Sequence, residues 1–237
     1  MSRFDDVIAL QNADTALDQL RHHRAHLPEA IALADAKAAL ATLDGELGPL
    51  TAQRAAVAED QSHVERRADE LKSAIVRVNG QLYGGSVTSA KELAALQHEL
   101  EGFNRQLSDT EDLVLEQMEL AEPLDVALAV RTPEREVKLA EIERCRVALA
   151  TEQERLDSEI AAADAQRVGI AAAVQPELMK PYNGLRTRLG GVGAARLDGS
   201  RCLGCHIQIP EGEMISLRAL PPDELVFCPE CGRILVR

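Results

Sequence analysis

The sequence predicts a mainly α-helical protein: a long, kinked, antiparallel coiled-coil hairpin followed by a small β-rich module that carries cysteines. Three observations predict this class. Apolar residues recur every seven positions on both sides of a glycine-containing turn. Aromatic residues make up only 2% of the chain and tryptophan is absent, which favours long helices packed along a seam over a large globular core. Four of the five cysteines follow residue 200.

Both arms of the predicted hairpin carry heptad rows, the 3.5-residue period of a coiled coil. The row of the second arm begins at Leu93, ends at Ile170 and fails only at Arg135. An arm of about 80 residues would be on the order of 120 Å long. The two rows of the first arm are Leu43, Leu50, Val57, Val64, Leu71 and Val78, and Leu40, Leu47, Ala68, Ile75 and Leu82.

The turn at residues 79–89 is the predicted tip of the hairpin. Gly84 and Gly85 permit the positive φ angles that a chain reversal needs. Ser89 and Glu92 form a capping box that opens the second arm. A fold-back point between the two glycines predicts that residue i faces roughly residue 169−i.

A bend is expected part of the way along the hairpin. Gly45, Gly48 and Pro49 interrupt the first arm and Pro123 interrupts the second, and proline removes a helical hydrogen bond and crowds the preceding turn. In the predicted register Gly45 faces Leu124, so both arms would bend at one level. Weaker breaks are expected at Pro28 and Pro133.

The pattern divides the chain into a hairpin at 1–175, a short helix and linker at 176–193, and a cysteine-bearing module at 194–237. The short helix is predicted from Glu177 to Leu189, and a further short helix or loop from Glu211 to Leu220. The predicted strands are Ala194–Leu197, Ile207–Ile209, Leu225–Phe227 and Ile234–Val236.

The cysteines form two Cys-x₂-Cys pairs, Cys202 with Cys205 and Cys228 with Cys231. Each turn directs two sulfurs the same way, and two such turns complete a tetrahedron around one metal ion. Four thiolates leave no open coordination position, so the pattern predicts one structural zinc ion in a ribbon and no catalytic metal. Metal binding should supply much of the folding free energy of so small a module.

The first cysteine pair also matches two other kinds of site. Cys202, Cys205 and His206 match the Cys-x-x-Cys-His pattern of haem attachment. The second cysteine pair and the lack of an export signal favour zinc, with His206 beside the site instead of ligating the metal. A redox dithiol is disfavoured because no βαβ pattern surrounds the motif.

Charge is spread unevenly along the chain, whose formal net charge is −13. Residues 1–180 carry 33 acidic and 19 basic side chains, a net charge of −14, whereas residues 181–237 carry 6 acidic residues and 7 arginines. The long part should repel polyphosphate, and the C-terminal part permits its approach. The arginines either compensate the charge of the zinc site or form a basic face for a partner: Arg186, Arg188, Arg196, Arg201, Arg218 and Arg233.

No segment resembles a signal peptide, and no apolar run approaches the roughly 18 residues of a membrane span. We therefore expect a cytoplasmic protein with no membrane partner, whose cysteines are reduced or bound to metal.

Two stretches resemble a known family. Both are similar to bacterial coiled-coil helical hairpins that end in a four-cysteine zinc ribbon. The first stretch is the tip, Leu82-Tyr83-Gly84-Gly85-Ser86-Val87-Thr88-Ser89-Ala90-Lys91-Glu92-Leu93. The second is the tail, with Gly191-Val192-Gly193-Ala194, the Cys202/Cys205-His206 turn and Cys228-Pro229-Glu230-Cys231-Gly232-Arg233. The resemblance implies a kinked hairpin with zinc on the four matching cysteines. The family has long been of unknown function, and some members are associated with binding an alternative sigma factor or RNA.

These features bear on three functions. The leading hypothesis is a non-enzymatic adaptor whose hairpin binds a protein partner and whose ribbon binds protein or nucleic acid. The alternative is a regulator that binds RNA or DNA through the arginine-bearing ribbon. An enzyme is disfavoured by the closed metal site and the lack of a catalytic constellation. Tyr83 and Lys91, which the turn itself does not need, are candidate contacts at the tip, and association of hairpins with one another stays open.

Overall fold

The computed structural model describes residues 3–85 and 87–237, so Ser86 of the predicted tip lies outside the described residues. Two compact units are present: residues up to Ala32 together with Cys145–Arg237, and Leu33–Arg144. The long helices contribute to both. The elements in chain order are α1 (Arg3–Ala25), α2 (Pro28–Tyr83), α3 (Ala90–Ala173), α4 (Pro176–Arg188), β1 (Ala194–Asp198), β2 (Arg201–Cys202), α5 (Glu211–Ala219) and β3 (Ile234–Val236).

The break in the first arm lies at Pro28 and not at the glycine-proline cluster. Helix α1 ends at Ala25 and α2 begins at Pro28, where the missing N–H of proline costs nothing because the first helical N–H has no intrahelical partner. Pro49 lies inside α2, and Pro123 and Pro133 lie inside α3. Helical hydrogen bonding therefore continues past all three prolines. Because a continuous helix can still curve, the bend stays a prediction.

Ion pairs between α2 and α3 give the register of the unit Leu33–Arg144. Asp44 pairs with Arg135 at 2.7 Å and Lys72 with Glu111 at 3.2 Å. Arg54 pairs with Asp125, and Glu46 with Arg131. Residue i thus lies across from roughly residue 180−i, and the predicted 169−i register is wrong.

Two physical causes account for this difference in register. Residues 84, 85 and 87–89 are not helical, so the chain reverses a few residues later than the glycine pair suggests. The remaining difference between the predicted and the observed register is about one heptad, and a heptad pattern fits equally well after a shift of seven residues. Gly45 consequently lies near the level of Pro133, not of Leu124.

The seam itself is confirmed. From the predicted rows of α2, the buried residues are Leu43, Leu47, Ala68, Leu71 and Val78. On α3, Ala121 and Leu156 are buried and most other members of the row are half-buried. Two packed helices have no further layer to cover their sides, so partial burial is what a simple hairpin provides.

The other unit joins the base of the hairpin to the ribbon. A three-stranded sheet has the order β2-β1-β3, with β1 antiparallel to β2 and parallel to β3. The strands predicted at Ala194–Leu197 and Ile234–Val236 are confirmed, and β2 was not foreseen. The two other predicted strands are wrong in extent, since 207–209 and 225–227 make only single bridges, at Gln208 and Phe227.

Helices α1 and α4 pack on one face of this sheet. The shared core consists of Phe4, Val7, Ile8, Leu10, Val174, Leu178, Tyr182, Leu185, Ala194, Ile234 and Val236. Because these residues come from α1, α4 and two strands, the core crosses the boundaries predicted at 175 and 193. The three-part division of the chain stays a prediction.

Candidate metal centre

The two Cys-x₂-Cys turns have the same backbone pattern. In the first, the N–H of His206 donates to the carbonyl of Cys202 at 2.8 Å, and the N–H of Cys202 donates to the carbonyl of Ile207 at 3.2 Å. In the second, Gly232 donates to Cys228 at 2.8 Å and Cys228 donates to the carbonyl of Arg233 at 2.8 Å. Both turns are therefore built by the backbone, which places each pair of sulfurs on one side.

The residue after the second cysteine of each turn adopts a left-handed conformation. Its φ is 62° at His206 and 70° at Gly232. Among the described residues, His206 is the only non-glycine with positive φ. Histidine tolerates this region better than most residues, but a side chain there still costs free energy. His206 thus holds a backbone position in the turn and leaves the four sulfurs to bind metal.

All four Sγ atoms lie within 4.8 Å of one another, and those of Cys205 and Cys228 are 3.9 Å apart. A tetrahedron with Zn–S bonds of about 2.3 Å has edges of roughly 3.8 Å, so the arrangement fits one zinc ion. Within the described residues this is the only group of three or more potential metal ligands. The site is a closed, structural four-cysteine centre. The haem interpretation fails because Cys202 and Cys205 lie with the second pair.

The protonation of the thiols couples metal binding to pH. Burial raises the pKa of the Cys228 thiol to about 12. Burial also acts to raise the pKa of Cys231, but hydrogen bonds from the backbone and side chain of Arg233 outweigh it and lower that pKa to about 7. Zinc must therefore displace at least the Cys228 proton at neutral pH, and its affinity should fall as the pH falls.

The sheet connects the metal centre to the helices. Ala194 and Ile234 point towards α1 and α4, whereas Ala195 and Leu235 point towards the cysteines. Successive strand residues face opposite sides, so two short strands serve both cores. The cluster on the metal side consists of Ala195, Cys202, Ile209, Met214, Val226, Cys228 and Leu235.

Gln11 of α1 binds the segment that leads into β1. Its Oε1 accepts hydrogen bonds from the N–H groups of Gly193, at 2.7 Å, and Ala194, and its Nε2 donates to the carbonyl of Gly191 at 3.0 Å. Gly193 has no room for a side chain, because a Cβ there would lie 2.7 Å from the carbonyl oxygen of Tyr182. Gln11 thereby satisfies buried backbone groups at the start of the ribbon.

Asp14, one turn later and only 1% exposed, is the second buried polar residue of α1. It accepts hydrogen bonds of 2.6 Å from Nε of Arg167 and from the hydroxyl of Tyr182, and Nε of Arg186 lies 3.3 Å away. Burial, with the hydrogen bond and negative charge of Asp14, raises the pKa of Tyr182. Sequence reasoning missed both residues, although two polar residues on the apolar face of α1 were a usable signal.

The arginines predicted to face a partner divide into two groups. Four make contacts inside the chain: Arg186 with Asp18 at 2.5 Å, Arg196 with Asp5 at 2.9 Å, Arg218 with Glu211 at 3.6 Å, and Arg233 with the carbonyls of Val192 and Leu189. Arg188 and Arg201 are exposed and form no salt bridge with any residue that the structure describes. Four of the six arginines are therefore engaged within the chain, and a basic face for a partner stays a prediction.

At the tip, the two candidate contact residues lie on different helices. Tyr83 is the last residue of α2 and is 80% exposed, so it does not pack back onto the hairpin. Lys91 is exposed in the first turn of α3, which begins directly after Ser89 as the capping box predicts. Both side chains are accessible to a partner.

An open groove lies beside the second cysteine turn. It has a volume of about 470 Å³ and is lined by Pro181, Leu185, Arg188, Phe227 and two glycines. Phe227 is partly exposed there, and Arg188 is one of the two candidate arginines that make neither a salt bridge nor a backbone contact with the described residues. An exposed ring next to a free guanidinium on an apolar floor is a combination enriched at protein interfaces.

Comparison with protein families gives two matches. Residues 10–190 match the model of the CT398-like coiled coil hairpin domain. Residues 201–235 match the model of a C4-type zinc ribbon domain. None of the helices in the described part of the chain combines the length and the hydrophobicity that crossing a bilayer requires.

Similar proteins cover the whole length. An uncharacterized protein of Mycobacterium tuberculosis is 33% identical over 238 residues, which cover 98% of this chain and 94% of the relative. A structure from Mycobacterium smegmatis superposes with a TM-score of 0.87 at 26% identity and covers 100% of both chains. The structure of CT398 from Chlamydia trachomatis has a TM-score of 0.65 at 19% identity, covers 99% of this chain and 97% of that one, and shows the shared fold alone.

Proposed function

The chain belongs to the CT398-like coiled-coil hairpin family with a C4-type zinc ribbon, and we propose that it is a non-enzymatic adaptor whose hairpin and ribbon each bind a partner. The four-thiolate centre offers no open position for a substrate or water. Its role in this proposal is to fold the ribbon against the base of the hairpin, so that one rigid unit presents the binding surface.

The groove beside Phe227 is the observation that carries the proposal. Its apolar floor, exposed ring and free Arg188 suit an acidic or aromatic segment of a protein. The tip, with Tyr83 and Lys91, supplies a second candidate contact on the hairpin. The proposal includes a cytoplasmic location, because thiols that must stay reduced to bind zinc persist best in a reducing compartment.

Charge supports a protein over a nucleic acid as the main ligand of the ribbon. Of the six arginines, only Arg188 and Arg201 make neither a salt bridge nor a backbone contact with the part of the chain that the structure describes, and the chain as a whole carries a net charge of −13. Two free cations release few counterions from a polyphosphate, so the expected affinity for RNA or DNA is low at physiological salt.

The experiment uses the full-length, zinc-loaded chain immobilised as bait for bacterial lysate, with captured proteins quantified by mass spectrometry. The groove variant combines Arg188→Glu with Phe227→Ala, and the tip variant combines Tyr83→Ala with Lys91→Ala. Arg77→Glu, a charge reversal at an exposed position of α2, is the matched control. We expect the groove variant to lose a protein that the control retains, and the tip variant to lose the same or another one.

A parallel titration with labelled single-stranded RNA and DNA at increasing salt distinguishes the alternative function, a nucleic-acid-binding regulator, from the protein adaptor. Micromolar binding that falls steeply with salt and is lost in the groove variant would favour the nucleic-acid regulator. Equal capture by the wild type, both variants and the control would refute the adaptor surfaces proposed here.

A further inference from the structure

Helix α3 carries a second apolar face, on the side away from the seam. Val126, Val130 and Val137 are 61%, 57% and 62% exposed, and Pro133 between them is also exposed. At 3.6 residues per turn, these four positions fall within roughly 60° of one another around the helix axis. The seam residues, such as Leu128, lie on the opposite side. The four residues therefore form one continuous stripe, here called the outer stripe.

Helix stability does not account for the outer stripe. Valine is a poorer helix former than alanine, because its branched side chain loses rotamer freedom against the preceding turn. Proline inside a helix also removes a hydrogen bond. A single exposed apolar residue is ordinary, but three valines and a proline at helical spacing make a patch of the kind that marks an interaction surface.

The charges at the two ends of the outer stripe identify its occupant. Glu122 lies at one end and Arg144 at the other, both on the same face, 22 residues or about 33 Å apart. Both are exposed and neither forms a salt bridge of 4 Å or less with a described residue, although Arg144 acts electrostatically on Glu141, which itself pairs with Lys138. Pro133 is midway between them. A second copy of the helix in antiparallel orientation, centred on Pro133, places each Glu122 opposite an Arg144.

A groove beside the outer stripe gives the second copy a concave surface to fit, in addition to the matching charges. It has a volume of about 520 Å³. Its apolar lining comes from Pro133 and Val137 together with Ala39 and Leu43 of α2, and its polar lining consists of Thr42, Glu46, Arg131, Glu134 and Lys138. In the antiparallel arrangement, Val137 lies across from residue 129 of the second copy. Val130 of that copy then faces the mouth of the groove. The two-fold axis repeats the same fit on the other side.

We propose that the hairpin forms an antiparallel homodimer through the outer stripe of α3, with Pro133 at the two-fold axis and two Glu122–Arg144 ion pairs at its ends. Isologous pairing of this kind needs a surface that complements itself after a two-fold rotation, and the end charges have that symmetry. The same rotation places Val126 opposite Ala140 and Val137 opposite Ala129, and it places Val130 opposite Glu136. The contact covers about 33 Å of a single helix and falls at the small end of specific interfaces, so dissociation is expected in the micromolar range. The dimer is independent of any partner at the ribbon groove.

The test is sedimentation velocity of the full-length, zinc-loaded chain over a concentration range that spans micromolar values. Glu122→Arg places two pairs of like charges in contact and should weaken dimerisation at least about tenfold, as should Arg144→Glu. The double variant restores opposite charges and should recover the wild-type dissociation constant to within about threefold. Glu101→Arg makes the same charge change on α3 outside the contact and should leave association unchanged.

Val130→Glu is the second probe, because a carboxylate there would lie opposite Glu136 of the second copy and should abolish association, while an exposed site keeps the monomer folded. Circular dichroism and zinc content verify the fold of every variant. A chain that stays monomeric at all concentrations overturns the proposal. A dimer that persists in both single charge variants, or that the double variant does not recover, also overturns it.

Discussion

The hydroxyl of Tyr182 donates a hydrogen bond of 2.6 Å to the carboxylate of Asp14, a residue 168 positions earlier in the chain. Asp14 also accepts a hydrogen bond from Arg167, near the C-terminal end of α3. The contact thus ties α1, α3 and α4 together directly behind the sheet of the ribbon. Both Tyr182 and Asp14 are buried, so the free energy of unfolding should depend on their pairing.

Tyr182→Phe should lower the free energy of unfolding by about 1–2 kcal/mol, because the buried Asp14 loses one donor while the ring still fills its site. The chain contains one other tyrosine, the exposed Tyr83. Tyr83→Phe is therefore a matched control and should change stability by less than about 0.5 kcal/mol. Urea denaturation of the zinc-loaded variants measures both, and equal effects would contradict a structural role for the Tyr182–Asp14 bond.

The same hydrogen bond predicts a response to alkaline pH. Burial and the contact with Asp14 raise the pKa of Tyr182 above the usual value of about 10. Because the folded-state pKa is raised, this stabilisation is fully present below about pH 10 and is lost as the pH rises towards the folded-state value. In Tyr83→Phe, where Tyr182 is the only tyrosine, tyrosinate absorbance should appear together with the loss of circular dichroism.

The Tyr182→Phe protein, whose only tyrosine is Tyr83, provides the reference curve for that titration. Ionisation of Tyr182 near pH 10 in a protein that keeps its full helical signal would contradict the expectation.

Loss of the metal should reach beyond the ribbon. Cys228→Ser removes one of four ligands and should release zinc. Because Ile234 and Val236 share a core with α1 and α4, we expect faster hydrogen exchange in those helices as well as in the ribbon. Amides of residues 33–144, in the other compact unit, should keep their protection.

Cys145→Ser is the control for this experiment, since Cys145 lies on α3 outside the metal centre. It should retain one zinc per chain and wild-type exchange throughout. Full zinc content in a folded Cys228→Ser protein would show that four thiolates are not required. Exchange that increases only in residues 194–237 would show that the ribbon unfolds independently of the helices.

The sequence was sufficient for the fold class and for the metal ligands, because both depend on local spacing. Heptad rows identify two packed helices, and two Cys-x₂-Cys turns identify a four-cysteine site whichever loop joins them. The register between Asp44 and Arg135 could not be derived in the same way. A heptad repeat is indifferent to a shift of seven residues, so the register depends on the helix ends and on particular ion pairs.

The contacts that join the ribbon to the hairpin could not be predicted from the sequence pattern either. Gln11 and Asp14 act on partners about 170 to 180 residues away, and no periodicity connects positions so distant. The same holds for Arg186, which resembles a surface cation in the sequence but contacts Asp14 and Asp18 in the structure. Whether an arginine is free for a partner depends on tertiary neighbours, and composition does not report them.

The equivalent positions of the two cysteine turns allow a paired test of backbone geometry. His206 and Gly232 both have φ near +65°, where a residue with a Cβ is less stable than glycine. His206→Gly should therefore stabilise the zinc-bound ribbon by up to about 1 kcal/mol, and Gly232→Ala should destabilise it by about 1 kcal/mol. No heavy atom lies within 4 Å of a Cβ built on Gly232, so the destabilisation by Gly232→Ala reports the cost of the backbone conformation without a steric clash.

Gly204→Ala serves as the steric contrast to this pair. Its Cβ would lie 2.8 Å from both Ala195 Cβ and Arg233 Cδ, so its cost should exceed that of Gly232→Ala even though its φ is not positive. Competition with a chromophoric zinc chelator measures all three variants, because destabilising the folded ribbon lowers its affinity for zinc. If His206→Gly weakened zinc binding by tenfold or more, the imidazole and not the backbone would be what the first turn requires of residue 206.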